Sequence, residues 1–171
     1  MKVLIVVDMQ HDFVDGVLGT PEARLIVGNV RRKVDAFLLE GDCVIYTQDT
    51  HGVDYLDTQE GKNLPIEHCL RGSVGWNILP EIYRAGCPVI EKQGFGSLEL
   101  AEVVASMKEV ESVELIGVCT DICVISNALI LKSKLPEVCI QVDASCCAGV
   151  TPESHANALR AMQMCQIKIL S

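Results

Sequence analysis

Short aliphatic runs alternate with longer stretches of helical period, and this alternation constrains the fold more than any other feature of the chain. Val3–Val7, Cys43–Thr47, Pro88–Glu91, Val113–Ile116 and Val138–Val142 read as strands, with Ile167–Leu170 as a short last one. Thr20-Pro21-Glu22 opens the first helix with a capping hydroxyl, a proline in the first turn and an acid. That helix is expected to reach Glu40, with Gly41 as its C-terminal cap. Further helices are predicted over Trp76–Arg84, over Leu98–Lys108 behind Ser97, over Asp121–Lys132, and behind Thr151-Pro152-Glu153, where the start signature recurs. Strict β/α alternation implies a parallel sheet with helices on both faces and right-handed crossovers. The expected fold class is therefore α/β: a three-layer, Rossmann-like domain spanning 1–171, with a parallel sheet of about five or six strands. The hydrophobic share of 49% with only 4% aromatic residues fits, because buried parallel strands are built from continuous aliphatic runs.

Several function classes drop out early. A net charge of −9 repels phosphate backbones and anionic lipid, so neither nucleic acid nor a membrane is an expected partner. The opening MKVLIVVDMQ is too short an apolar run for a secretory signal, and Asp8 interrupts it. No stretch approaches bilayer length, so a cytoplasmic location is expected, with nine cysteines kept as reduced thiols. Neither a CxxC pair nor zinc-finger spacing occurs, and Cys43, Cys87 and Cys139 read as small buried hydrophobes. The turn after the first strand, Asp8-Met9-Gln10-His11-Asp12-Phe13, lacks glycine, and no P-loop is present, so no nucleotide cofactor is expected.

In open parallel sheets, ligands bind beyond the carboxyl ends of the strands. Reading those ends in turn gives Asp8, then Asp49 with His51, then Glu91 and Lys92, then Gly117–Cys123, then Asp143. Cys123 falls in the first turn of a helix, where the partial positive charge lowers a thiol pKa, and Lys92 would add a full charge. Asp8 can accept the thiol proton and return it to a leaving amine, and free N–H groups at the turn can face an oxyanion. The alternative is that Cys123 is a packing cysteine and that Asp8 and Lys92 form an ordinary ion pair. From the residues alone both stand.

Asp8-Met9-Gln10-His11-Asp12-Phe13, Lys92, and Gly117-Val118-Cys119-Thr120-Asp121-Ile122-Cys123-Val124 together resemble the isochorismatase-like cysteine hydrolases, with nicotinamidases as the closest branch. The resemblance runs over nearly the whole chain. It implies a triad of Asp8, Lys92 and Cys123, and a cis peptide between Val118 and Cys119 that aims the N–H groups of Cys119 and Cys123 at the oxyanion. Cys119 stands where such families often carry alanine, which implies a scaffold role. Asp49-x-His51 with His68 resembles the nicotinamidase metal site, in which an Asp and two His hold zinc, iron or manganese. Three solvated loop residues are the alternative reading of that trio.

Departures from the branch fall in the pocket. Thr50 stands where a Trp is usual, and Leu64 and Pro65 occupy the place of a second Trp, while Phe13 is kept and can stack on a flat ring. The glycine-rich Gln93–Ser97 stretch predicts a smaller or differently shaped pocket. The implied activity is hydrolysis of a small carboxamide, nicotinamide or similar, to its acid and ammonia through a thioester. Rival readings are the same scaffold acting on an N-carbamoyl amide or an isochorismate-type vinyl ether, a zinc hydrolase with no covalent step, and a silent binding or redox-sensing protein. The resemblance also implies a homo-oligomer.

Overall fold

The computed structural model describes residues Met1–Ser171. Its six strands are all parallel: β1 (Lys2–Val7), β2 (Cys43–Asp49), β3 (Val89–Lys92), β4 (Ser112–Val118), β5 (Cys139–Ala148) and β6 (Lys168–Leu170). They lie in the order β3-β2-β1-β4-β5-β6. The helices are α1 (His11–Val14), α2 (Pro21–Leu39), α3 (Gln59–Asn63), α4 (Leu98–Ser106), α5 (Ile125–Lys134) and α6 (Pro152–Met164). The three-layer α/β expectation holds.

Side-chain alternation along β1 sorts the core into two halves. Val3, Ile5 and Val7 join a cluster with Leu100 and Val104 of α4, Ala128 and Leu131 of α5, and Met162 of α6. Leu4 and Val6 point the other way, onto Ile26, Val30, Val34 and Phe37 of α2. Both sheet faces are thus covered, which accounts for the unbroken aliphatic run Val3–Val7 of the central β1. The predicted helix starts hold as well: Thr20 Oγ1 accepts from Ala23 N, Ser97 Oγ from Leu100 N and Thr151 Oγ1 from Ser154 N, each at 3.0 Å.

Four expectations are corrected. Trp76–Arg84 is a string of turns and not a helix. Pro80 lacks an N–H and disfavours helical backbone at Leu79, and the segment instead pairs with the turn after β1 through a Gln10–Ile78 bridge and a Leu79 N–Met9 O bond of 2.9 Å. Strand β5 continues past a bulge to Ala148, because its small apolar residues pair onward with Gly117 and Val118. Asp143 is consequently mid-strand, away from the carboxyl edge, and pairs with Lys33 of α2. The segment after β4 begins as a π-helical turn, Thr120–Val124, before α5. Lastly, Cys43 and Cys87 are only half-buried and Cys139 is exposed, although all nine cysteines are unpaired.

The chain leaves β1 toward β2 and β3 and returns to β4 on the other side of β1. This reversal opens a crevice between the carboxyl ends of β1 and β4, the usual ligand site of such sheets. Gly117 makes the close approach there feasible: its φ is +114°, and a Cβ would lie 2.1 Å from the Val7 carbonyl oxygen.

Candidate functional site

Asp8 follows β1 directly, with a φ of +47° that non-glycine residues rarely adopt. Thr47 of β2 holds it there: the Thr47 hydroxyl donates to Asp8 Oδ1 at 2.6 Å and accepts from Asp8 N at 3.2 Å. Lys92, the last residue of β3, is the register partner of Asp49 on β2, so their side chains meet. The Lys92 Nζ reaches Asp8 Oδ2 at 2.7 Å, Asp49 Oδ1 at 3.0 Å, the Gly94 carbonyl at 3.1 Å and Cys123 Sγ at 3.5 Å. Cys123 sits in the π-helical turn beyond β4, and the Val118–Cys119 peptide that leads into the turn is cis. The structure therefore brings Asp8, Lys92 and Cys123 together at the switch point, all three buried.

The electrostatics differ from the sequence expectation. Burial pushes the Cys123 thiol well up, Asp8 adds to the rise, and Lys92 opposes it without prevailing. The predicted lowering by the helix start and Lys92 does not survive, because the thiol is enclosed beside two carboxylates. Burial also raises Asp8, against Lys92, which lowers it. Burial alone would lower Lys92, yet Asp8, Cys123 and Asp49 hold it well above its ordinary value, so it stays charged. Apart from the Lys92 contact, Asp8 Oδ2 has no hydrogen-bond partner. A thiol and a carboxyl that both favour protonation can pass one proton between them, beside a fixed positive charge.

Asp49, His51 and His68 form a second cluster, their ligand atoms all within 4.8 Å of one another. Asp49 Oδ2 lies 2.9 Å from His51 Nε2 and 3.7 Å from His68 Nε2. The Ile66 carbonyl, 2.8 Å from His68 Nδ1, fixes that ring with Nε2 turned inward. His51 Nε2 is buried and makes no hydrogen bond of acceptable geometry, even to Asp49. Two inward imidazole nitrogens and a carboxylate oxygen, one nitrogen without a partner, fit a divalent ion of the zinc, iron or manganese kind.

Sequence reasoning missed two supports of this cluster. Glu60 Oε1 approaches His51 Nε2 to 3.8 Å and His68 Nε2 to 3.7 Å. Its signal was Thr58, a helix cap followed two residues later by an acid within an otherwise irregular polar stretch. Gln10, fully buried, accepts from Asp49 N at 2.7 Å and donates to Asp49 O at 2.9 Å, which pins that residue's backbone.

A cavity of about 900 Å³ opens onto both clusters, with Phe13, Leu64, Phe95, Cys119, Ile122 and Cys123 among its walls. This volume lies within the range of small-molecule sites. Phe13 tilts against His68 at 5.5 Å between ring centroids. Leu64 is exposed at the rim. Cys119 is part of the cavity wall, and burial pushes its thiol up to about 12. Thr50, where a Trp was expected, accepts from the indole Nε1 of Trp76, the chain's single Trp, at 2.8 Å. No helix is long and apolar enough to cross a membrane.

The sequence model of the Isochorismatase domain matches residues 2–171. An uncharacterized isochorismatase family protein of Bacillus subtilis, PncA, is 26% identical over 171 residues, covering 92% of each chain. The fold superposes on the zinc complex of Pyrococcus horikoshii pyrazinamidase with a TM-score of 0.88 at 26% identity, over 99% of this chain and 98% of that one. It superposes on N-carbamoylsarcosine amidase of Thermoplasma acidophilum with a TM-score of 0.81 at 26% identity, over 99% and 95% of the two chains.

Proposed function

The chain belongs to the isochorismatase family, and from that premise we propose that it is a cysteine-dependent amide hydrolase converting a small neutral carboxamide, nicotinamide or a relative, to its acid and ammonia. The observation that carries the reading is the placement of one ammonium, Lys92, 2.7 Å from Asp8 and 3.5 Å from the thiol of Cys123, which itself lines an open cavity. The likeness to an archaeal pyrazinamidase and to an amidase supports it.

The thiol of Cys123 gives its proton to Asp8 Oδ2 as the sulfur attacks the amide carbon. Raised proton affinity at Asp8 assists this transfer, while Lys92 balances the charge of the site throughout. The N–H groups of Cys119 and Cys123 face the tetrahedral oxyanion. Asp8 then protonates the departing amine, leaving ammonia and a thioester at Cys123. A water that loses its proton to Asp8 attacks the thioester carbon, the carbon–sulfur bond breaks, and the acid departs as Asp8 returns the proton to sulfur. Asp49, His51 and His68 would hold a divalent ion with Glu60 facing it. When bound, that ion supplies a Lewis acid able to take a substrate ring nitrogen.

Ammonia release from nicotinamide, compared between the native protein and Cys123→Ala, tests the reading. Release by the native chain that vanishes in the variant is the expected result. Undiminished release by Cys123→Ala ends the covalent scheme, and no release by either protein removes nicotinamide as the substrate.

A further inference from the structure

Asn127 lies inside α5, fully buried, and every polar atom of its side chain is used. Its Nδ2 donates to the Cys123 carbonyl at 2.8 Å and to the Phe95 carbonyl at 3.2 Å. Its Oδ1 accepts from Ser97 N at 3.0 Å. One planar carboxamide thus joins the turn bearing Cys123 to the Gln93–Ser97 segment that follows Lys92. The same segment grips Lys92 through the Gly94 carbonyl, and Phe95 forms part of the cavity wall. Gly96 lies against α5, where an added Cβ would come within 2.5 Å of Ile130 Cδ1.

Asparagine is a poor interior helix residue, and an apolar side chain would suit a fully buried helical position better. Its presence makes sense if the three hydrogen bonds have a use. Two of them end on carbonyl oxygens, which only a donor can satisfy, and the third ends on an N–H, which needs an acceptor. Among side chains of this size, only asparagine supplies both from one rigid plane.

We propose that Asn127 is a positioning residue that sets the spacing between the Cys123 thiol and the Lys92 ammonium, and with it the position of the Phe95 wall. The inference rests on the nucleophile role given to Cys123 above. It divides the side chain into two functions: the bond to the Cys123 carbonyl bears on the reactivity of the thiol, and the bonds to Phe95 and Ser97 bear on substrate binding.

Two variants separate these functions. Asn127→Leu keeps the branched shape, carries no charge and removes all three bonds. Asn127→Thr keeps one, because a threonine hydroxyl can bond to the carbonyl four residues back, here Cys123, but cannot reach the Phe95 segment. The readouts are the rate at which iodoacetamide labels Cys123, followed by peptide mass, and kcat and KM for ammonia release. Asn127→Leu is expected to slow labelling and kcat on the order of tenfold or more, the size of effect a small misplacement produces, and to raise KM. Asn127→Thr is expected to restore labelling and kcat while KM stays raised. Should Asn127→Leu fail to fold, Asn127→Thr decides alone: native labelling with a raised KM supports the inference, and native values of both overturn it. Folded Asn127→Leu with a lower Tm but native labelling and native KM also overturns it, leaving Asn127 a purely structural residue. Such a result with Cys123→Ala inactive sinks this inference only, whereas an active Cys123→Ala sinks the nucleophile on which it rests.

Discussion

Lys92 and Asp8 form an ion pair of 2.7 Å in which neither side chain is more than 2% exposed. Buried pairs are weak sources of stability, because the desolvation of both charges offsets their attraction. An apolar pair at the ends of β1 and β3 would hold the sheet as well. What the pair gives instead is a fixed positive charge within reach of the Cys123 sulfur, next to a carboxylate oxygen that has no other partner. Its location at the strand-order reversal, beneath the cavity, ties the arrangement to chemistry more readily than to folding.

Lys92→Met tests the pair directly. Burial raises Asp8, and Lys92 is the largest influence lowering it. Without the lysine the carboxyl moves further up and becomes an ionised base only at higher pH. The expected result is a fall in kcat/KM of about 100-fold or more, with the acid limb of the pH–rate profile displaced upward. Ammonia release measured across pH reports both; an acid limb that stays in place would remove Asp8 as the group that titrates there.

Metal binding can be followed without turnover. Protein supplied with zinc or manganese is expected to hold about one ion per chain by elemental analysis, and its Tm is expected to rise with the ion and fall on chelation. At 100 times Kd, such a ligand adds about 2.7 kcal/mol to stability. His68→Ala removes one inward nitrogen and is expected to abolish the metal-dependent part of Tm while leaving the metal-free Tm close to native. A metal response that persists unchanged in His68→Ala would place the ion elsewhere.

The charge on the walls of the cavity predicts substrate selection. Asp49, Asp54 and Glu60 line it, and no Lys or Arg is among the lining residues. Apart from a bound ion, a substrate carboxylate would meet like charge and find no Lys or Arg side chain in the lining. Metal-loaded protein is therefore expected to hydrolyse nicotinamide or pyrazinamide with a kcat/KM at least about tenfold above that for an N-carbamoyl amino acid, a difference of about 1.4 kcal/mol. Comparison of the three by ammonia release decides it, and preference for the carbamoyl acid would reverse the substrate assignment.

Strand ends and helix caps were readable because each depends on a few neighbouring residues. Thr20, Ser97 and Thr151 cap helices as their sequences indicate. Asp8, Lys92 and Cys123 could be found because a parallel sheet gathers the residues past its strand ends on one edge. Asp143 lies mid-strand and not at a strand end because the length of β5 is set by pairing with Gly117 and Val118, which no local pattern in Ala144–Ala148 announces. Trp76–Arg84 does not form the predicted helix because Pro80 interrupts it and the segment is shaped by its contact with Met9 and Gln10, which lie far away in sequence. Glu60 and Asn127 escaped for a related reason: their roles exist only across elements distant in sequence.

Lys33 of α2 offers a test away from the site. Its Nζ lies 2.8 Å from both Glu114 of β4 and Asp143 of β5, where the carboxylate side chains are 5% and 9% exposed. Removing one member of such a group leaves the remaining charges buried and uncompensated. Lys33→Met is thus expected to destabilise the fold by about 2 kcal/mol, less than the 3–5 kcal/mol typical of a fully buried pair, since Lys33 keeps 26% of its side chain exposed. The pH dependence follows from Asp143. Burial alone would raise its pKa, but Lys33 and Ser145 more than reverse that and leave it below 3.8. A carboxyl depressed in the folded state contributes stability above its unfolded pKa and loses it as the pH falls through the folded value. The gap between native and Lys33→Met is expected to be full at neutral pH and to narrow below about pH 4, as protonation removes the charge that Lys33 neutralises. Denaturant melts of the two proteins at pH 7 and pH 3 measure it. Combining Lys33→Met with Glu114→Gln and Asp143→Asn should recover most of the loss, because no charge is then left buried; a triple variant as unstable as Lys33→Met would show that packing of the lysine stem, and not its charge, secures α2 to the sheet.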